Sequence, residues 1–161
     1  MAGRFAVSHD VLDAAVVSSA LRAHAAGTPV GAVIVFEGLV RGVNQGRQVL
    51  RLDYEGYEPM IVRMFEQIDR EIAEAWPGTA SAIHHRLGTL RIGEASIVIA
   101  TASAHRAAAY SASRYAIERV KQIAPVWKHE YFEGGDVWIE GAVAGADDEA
   151  ARKKAMVTAC A

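Results

Sequence analysis

One proline inside a run of charged and aromatic residues constrains this chain more than any other feature. The run is Lys121-Gln122-Ile123-Ala124-Pro125-Val126-Trp127-Lys128-His129-Glu130. Pro125 has no amide hydrogen and disfavours helical geometry at the residue before it, so a helix arriving from the N-terminal side must end here. The sequence therefore predicts that Lys121 lies in the last turn of a helix and Lys128 just inside the next element.

Composition limits the classes of protein that this sequence can belong to. The chain has 161 residues, 52% of them hydrophobic, which is enough for the core of one compact domain. Its net charge of -2 gives no general attraction to nucleic acid, so an anion site must come from a local cluster. Cys160, the one cysteine, cannot form a disulfide or a cysteine-based metal site within one chain.

The apolar pattern predicts the order strand, helix, strands, helix, strands, helix and hairpin, which is typical of an α+β domain. Asp10 is predicted to cap the first helix. Residues 30–40 are predicted to form a strand buried on both faces, with a bulge or a close backbone approach at Gly38. Residues 41–48 are interpreted as a flexible polar loop, and residues 126–140 as a hairpin.

The domain organisation and location are expectations of the same kind. We expect one domain over residues 1–141, followed by a tail over residues 142–161 that is helical or loosely held. No apolar run reaches the length of a membrane span and no signal peptide is visible. The expected location is the cytoplasm, with no membrane or nucleic-acid partner.

Two interpretations fit the lysine pair. In the first, Lys121 and Lys128 bind an anion and transfer protons, since a lysine near other cations loses proton affinity. In the second, Lys121 is favoured by the helix dipole and Lys128 is an edge-strand lysine that discourages aggregation. Spacing alone favours the second interpretation.

A second junction, Ser103-Ala104-His105-Arg106, lies where a buried strand gives way to a helix. Ser103 is the predicted cap of that helix. Cations in a first helical turn oppose the helix dipole, so His105 and Arg106 indicate an anion ligand. Pairing with a nearby carboxylate is the alternative.

Other polar and aromatic residues are less informative. Arg41 ends a predicted strand and is either an active-site or an ordinary exposed arginine, whereas Arg47 is expected to be solvated. Adjacent His84 and His85 should point to opposite faces of a strand. No metal site is expected. The three tryptophans, Trp76, Trp127 and Trp138, are interpreted as core residues. Trp127, which lies between the two lysines, is the one for which this interpretation is weakest.

Taken in order, several segments resemble the large, catalytic subunit of molybdopterin synthase. They span roughly residues 30 to 141 and are Phe36-Glu37-Gly38-Leu39-Val40-Arg41, Tyr54-Glu55-Gly56-Tyr57-Glu58-Pro59-Met60, Ser103-Ala104-His105-Arg106, the Lys121 to Glu130 run and Gly135-Asp136-Val137-Trp138-Ile139-Glu140-Gly141. The resemblance implies an α/β-hammerhead-type fold with an additional antiparallel β subdomain. It also implies a homodimer of this chain, with one small ubiquitin-like subunit bound to each protomer.

The resemblance implies a reaction as well. Two sulfurs pass from the C-terminal Gly-Gly thiocarboxylate of the small subunit to cyclic pyranopterin monophosphate, giving the dithiolene of molybdopterin. No cofactor is expected. By the same resemblance Lys121 and Lys128 are catalytic, and the implied substrate-binding residues are Leu39, Val40, Arg41, His105, Arg106, Lys121, Lys128, His129 and Glu130. The resemblance allows His105 and Arg106 to act across the dimer interface.

Two other functions remain open at this stage. A non-catalytic module that docks a ubiquitin-like tail would not need both lysines. An enzyme acting on a different phosphorylated heterocycle would use the same cations.

Overall fold

The computed structural model describes residues 3–139 and 141–161, and in this part of the chain four helices and nine strands follow one another. In chain order they are β1 (Phe5–Ser8), α1 (Ala14–His24), β2 (Ala32–Leu39), β3 (Val43–Asn44), β4 (Arg47–Gly56), α2 (Glu58–Ala75), β5 (Ala80–Arg86), β6 (Gly88–Arg91), β7 (Ala95–Ser103), α3 (Arg106–Ile123), β8 (Val126–Phe132), β9 (Gly135–Ile139) and α4 (Glu149–Cys160). The predicted α+β class is confirmed. Glu140, the last residue of the predicted hairpin, lies outside the described residues.

The first sheet has the strand order β1-β5-β7-β2 and carries helices on both faces. β7 is buried along its whole length, with α1 against one face and α2 and α3 against the other. β2 pairs with β7 and ends the row, so the predicted burial of residues 30–40 on both faces is wrong: Val35 and Leu39 are exposed. The bulge is confirmed, because the β2–β7 register shifts between Gly38 and Leu39.

The second sheet is antiparallel and is built around β4, which pairs with β3, β6 and β8, while β9 pairs with β8. It is the additional antiparallel β subdomain that the family resemblance implies. The prediction of a polar loop over residues 41–48 is wrong, because β3 and β4 form a hairpin there. Gln45 and Gly46 make its two-residue turn with φ of 49° and 77°, the geometry that matches strand twist.

The first and last helices refine the expectations from the sequence. α1 begins three residues after the predicted position, because Asp13, not Asp10, accepts a hydrogen bond from the Ala15 amide at 2.8 Å. The segment treated as a tail contains helix α4, which buries Ala155 and Ala159 in the same core as α2 and α3. None of the helices in residues 3–139 and 141–161 combines the length and hydropathy needed to cross a membrane.

A buried ion pair joins α2 to α3. The guanidinium of Arg119 donates to both carboxylate oxygens of Glu71 at 2.8 Å, and the Tyr115 hydroxyl donates to Glu71 at 2.7 Å. Arg119 also donates to the carbonyl of Ala146, so the pair ties down the segment before α4. Burial by itself would raise the pKa of Glu71, but hydrogen bonds from Arg119, Tyr115 and Gln67 lower it overall.

Candidate active site

The junction between α3 and β8 has the predicted geometry. Lys121 lies in the last turn of α3, and Ala124, the residue before the proline, has the extended backbone angles of φ −73° and ψ 121°. Lys128 is the third residue of β8. Because β8 runs between β4 and β9, the interpretation of Lys128 as an edge-strand lysine is wrong.

Two cavities meet at these lysines. We call the cavity of about 300 Å³ the small chamber and the one of about 610 Å³ the large chamber. Residues that line both are Tyr54, Ser96, Ile97, Ile117, Lys121 and Lys128. The small chamber adds apolar walls and one imidazole: His85, Val120, Ala124, Val126, Ile139 and Gly141. The large chamber adds the end of β2 through Arg41, one polar residue each from β3 and β8, and two apolar residues of β4: Phe36, Glu37, Gly38, Leu39, Val40, Arg41, Asn44, Glu130, Val49 and Leu52.

Two neighbouring cations, Lys121 and Arg41, act on Lys128. Burial lowers the pKa of Lys128, and the positive charges of Lys121 and Arg41 lower it further. The negative charge of Glu130 acts in the opposite direction and raises it. Lys128 therefore holds its proton less tightly than an exposed lysine, which suits a group that exchanges protons with a substrate.

Glu130 is fixed in place rather than free in the large chamber. Its side chain is 1% exposed, and its carboxylate accepts hydrogen bonds from Asn44 at 2.8 Å and from Arg47 at 3.2 Å. The guanidinium of Arg47 also stacks on Phe132, 4.7 Å from the ring centre. The expectation that Arg47 is solvated is therefore wrong, because the β3–β4 hairpin carries it onto β8.

His129 lies on the other face of β8, as strand alternation requires. Its Nε2 lies 2.6 Å from an Asp136 carboxylate oxygen, and its ring stacks on Trp138 at 4.2 Å. It lines neither chamber. Trp138 and Trp127 are half exposed on this sheet, so the interpretation of these two tryptophans as core residues is wrong.

His105 and Arg106 are exposed at the opposite end of α3 from Lys121. Fifteen residues at about 1.5 Å per residue place Arg106 roughly 22 Å from Lys121, so one chain does not bring them together. The predicted Ser103 cap is wrong. Ser103 is buried in β7 and accepts a hydrogen bond from Thr79 at 3.0 Å, while His105 occupies the cap position without a side-chain cap bond.

Three chamber residues were not identified from the sequence: Tyr54, His85 and Ser96. The alternation of β5 does place His85 on the face of Ile83 and Leu87, but it does not show that a cavity opens beside it. Ser96 donates to the carbonyl of Gly38 at 3.0 Å and so contacts the β2 bulge. The pairing of β5 with β7, in which His85 faces Ile97, and the contact of the Tyr54 ring with His85 bring these three together.

Replacing Lys121 by methionine is expected to raise the pKa of Lys128, because one neighbouring positive charge is removed. Glu130→Gln should lower that pKa, because the charge that favours the ammonium is lost. Titration of isotopically labelled lysine side chains by NMR measures both shifts. Lys154→Met, a change on the exposed surface of α4, is the matched control. Unchanged titration of Lys128 in both variants would contradict the charge coupling described here.

Comparison with known proteins shows the family to which the chain is related. Residues 7–123 match the family model described as MoaE protein. The chain is 55% identical over 109 residues to the molybdopterin synthase catalytic subunit of Bacillus subtilis, covering 68% of this chain and 69% of that one. It is 47% identical over 125 residues to the Staphylococcus epidermidis catalytic subunit, covering 78% of this chain and 83% of the relative.

Solved structures show the same fold. The crystal structure of molybdopterin synthase from Staphylococcus aureus matches with a TM-score of 0.79 and 38% identity, over 86% of this chain and 98% of that one. A Helicobacter pylori complex of subunits 1 and 2 of molybdopterin-converting factor matches with a TM-score of 0.68 over 84% of this chain and 90% of that one; at 24% identity this likeness concerns the fold alone. The chain belongs to the MoaE family, that of the molybdopterin synthase catalytic subunit in molybdenum cofactor biosynthesis.

Proposed function

We propose that this chain catalyses the transfer of two sulfurs from the thiocarboxylated C-terminus of a small ubiquitin-like subunit to cyclic pyranopterin monophosphate, giving the dithiolene of molybdopterin. The observation that carries the proposal is the position of Lys121 and Lys128 where two chambers meet. A reaction between two separate substrates requires such a meeting point, because the reacting atoms must be held in contact.

The large chamber suits the phosphorylated heterocycle. Arg41 offers a planar, two-pronged donor to a cyclic phosphate, and Lys121 and Lys128 add positive charge as the phosphate ring opens. Leu39 and Val40 form the wall beside Arg41, and the anchored carboxylate of Glu130 limits the net positive charge. These residues are the substrate-binding set that one chain supplies.

The attacking sulfur comes with the partner, which explains why the chain needs no cysteine at the site. Each thiocarboxylate sulfur replaces an oxygen substituent of the pterin side chain, which leaves with a proton or stays on the phosphate as the ring opens, and the product is a thioester between the two substrates. Hydrolysis of the acyl–sulfur bond by water then leaves the sulfur on the pterin and a carboxylate on the small subunit, and both steps need proton transfers. Lys121, exposed at the helix end, and Lys128, with its lowered pKa, are the proton carriers in this scheme. The Helicobacter neighbour is itself described as a complex of two subunits, the type of assembly proposed here.

His105 and Arg106 enter the proposal through a homodimer, in which the start of α3 from one protomer completes the site of the other. The separation of roughly 22 Å within one chain supports this arrangement, since the pair cannot reach the substrate of its own protomer. His129, held by Asp136 on the far face of β8, stays a prediction from the resemblance.

Mixing two inactive variants tests the shared site. Lys121→Ala and the double variant His105→Ala/Arg106→Ala are each expected to lose turnover alone. After random exchange of subunits, half of the dimers are mixed and half of their sites are intact, so activity should recover to about a quarter of wild type. A mixture as inactive as its components, with exchange confirmed by mass, would overturn the shared site.

A further inference from the structure

His85 is a buried polar residue of the small chamber that the scheme above does not use. It is 6% exposed, and its ring packs edge to face against Tyr54 with the centres 5.3 Å apart. Its Nδ1 lies 2.9 Å from the carbonyl oxygen of Arg86. Because a carbonyl oxygen can only accept, Nδ1 carries the hydrogen, and the second ring nitrogen, Nε2, has its lone pair free when the ring is neutral.

The ring is neutral at physiological pH, since burial lowers the pKa of His85 to about 4. Within residues 3–139 and 141–161 no hydrogen bond reaches Nε2 of this histidine. Among the described residues, Nε2 is not one of the fully buried polar atoms that lack a partner, so it is accessible from a cavity and can accept from a donor that arrives from elsewhere. His85 lines the small chamber and not the large one, so that donor enters the small chamber.

The other groups of the small chamber define what that ligand is. Two ammonium groups, Lys121 and Lys128, line it where it meets the large chamber and favour an anion. Its walls are otherwise largely aliphatic, and the hydroxyl of Ser96 already donates to Gly38. A peptide that ends in an anionic group brings both required features: a negative terminus for the lysines, and main-chain N–H groups that must find an acceptor once they are buried.

We propose that Nε2 of His85 accepts a hydrogen bond from a main-chain N–H of the small subunit's C-terminal peptide and so positions its terminal group beside Lys121 and Lys128. This assignment rests on the proposed function and makes His85 a positioning residue. It explains why an imidazole lies among aliphatic side chains. It also suits a terminus made of glycines, in which the main chain supplies every hydrogen-bonding group.

The test is calorimetric binding of the small subunit that supports turnover, in its unreactive carboxylate form, with and without its final Gly-Gly. His85→Phe keeps a flat ring and removes the acceptor. We expect it to weaken binding of the full-length subunit by about tenfold or more and to leave binding of the truncated subunit unchanged. His85→Gln, which restores an acceptor, should recover part of the loss, and the KM for the pterin should not change in either variant.

The matched control is His84→Phe, a change of the same type on the opposite face of β5, where His84 contacts the carbonyl of Gly3. It should affect neither binding constant. If His85→Phe weakens binding of the full-length and truncated subunits equally, or weakens binding of neither, the role of His85 is overturned and the proposed function is not. A wild-type chain that binds the subunit but forms no product would instead overturn the proposed function, and the two failures are distinguishable.

Discussion

Lys121→Ala is expected to slow product formation by a factor of about one hundred to ten thousand. This is the range associated with loss of a positioned proton-transfer group. The side chain stands where the two chambers meet, so its removal takes away both a proton carrier and positive charge beside the substrate. Lys121 is exposed, so the fold should be unaffected, with a change in unfolding free energy within about 0.5 kcal/mol.

Single-turnover kinetics and urea unfolding of the same preparation check both parts of this prediction. Lys153→Ala is the matched control, because it is another exposed helical lysine but lies on α4, away from the chambers. Turnover near that of wild type, or a variant that fails to fold, would remove Lys121 from the mechanism.

Arg119→Met is expected to destabilise the protein by about 3–5 kcal/mol, because it leaves the carboxylate of Glu71 buried without its cation. The same change releases the carbonyl of Ala146 and so loosens the segment that leads to α4. Urea unfolding measures the loss. Arg114→Met on the same helix removes only an exposed pair with Glu118 and should cost no more than about 0.5 kcal/mol.

The same ion pair predicts how stability depends on pH. The pKa of Glu71 is lowered in the folded state, so the pair stabilises the fold above the unfolded-state pKa of a glutamate. That contribution is lost as the pH falls through the lowered folded-state pKa. Unfolding free energy should therefore decline on acidification in wild type and decline less in Arg119→Met. Equal losses for Arg119→Met and Arg114→Met would contradict the importance of the buried pair.

The sequence predicted the part of the site that local chemistry determines. Pro125 ends α3 because its ring cannot continue the helix, and this places Lys121 and Lys128 on either side of the junction. The fold class follows in the same way from the order of apolar patterns. Arg41 and the strand that precedes it were also recognisable, because an apolar run that ends in a charged residue is visible in the sequence, although the burial of that strand was predicted wrongly.

The sequence did not reveal what depends on contacts between distant elements. From the sequence, Arg47 was interpreted as a solvated loop residue. In the structure the β3–β4 hairpin places it beside Glu130, 83 residues away in the chain. His85 and Ser96 belong to β5 and β7, which pair antiparallel, and the sequence does not show that these two strands are neighbours. The separation of His105 from Lys121 could be estimated only once α3 was known to be one continuous helix.

Reconstitution with defined components tests the central claim most directly. The chain is mixed with a thiocarboxylated small subunit and cyclic pyranopterin monophosphate, and the dithiolene product is assayed by mass spectrometry. The proposed function predicts a product with two added sulfurs per pterin, which disappears in Lys121→Ala. A stable complex with the small subunit that yields no product would contradict it and would favour a non-catalytic module that docks a ubiquitin-like tail.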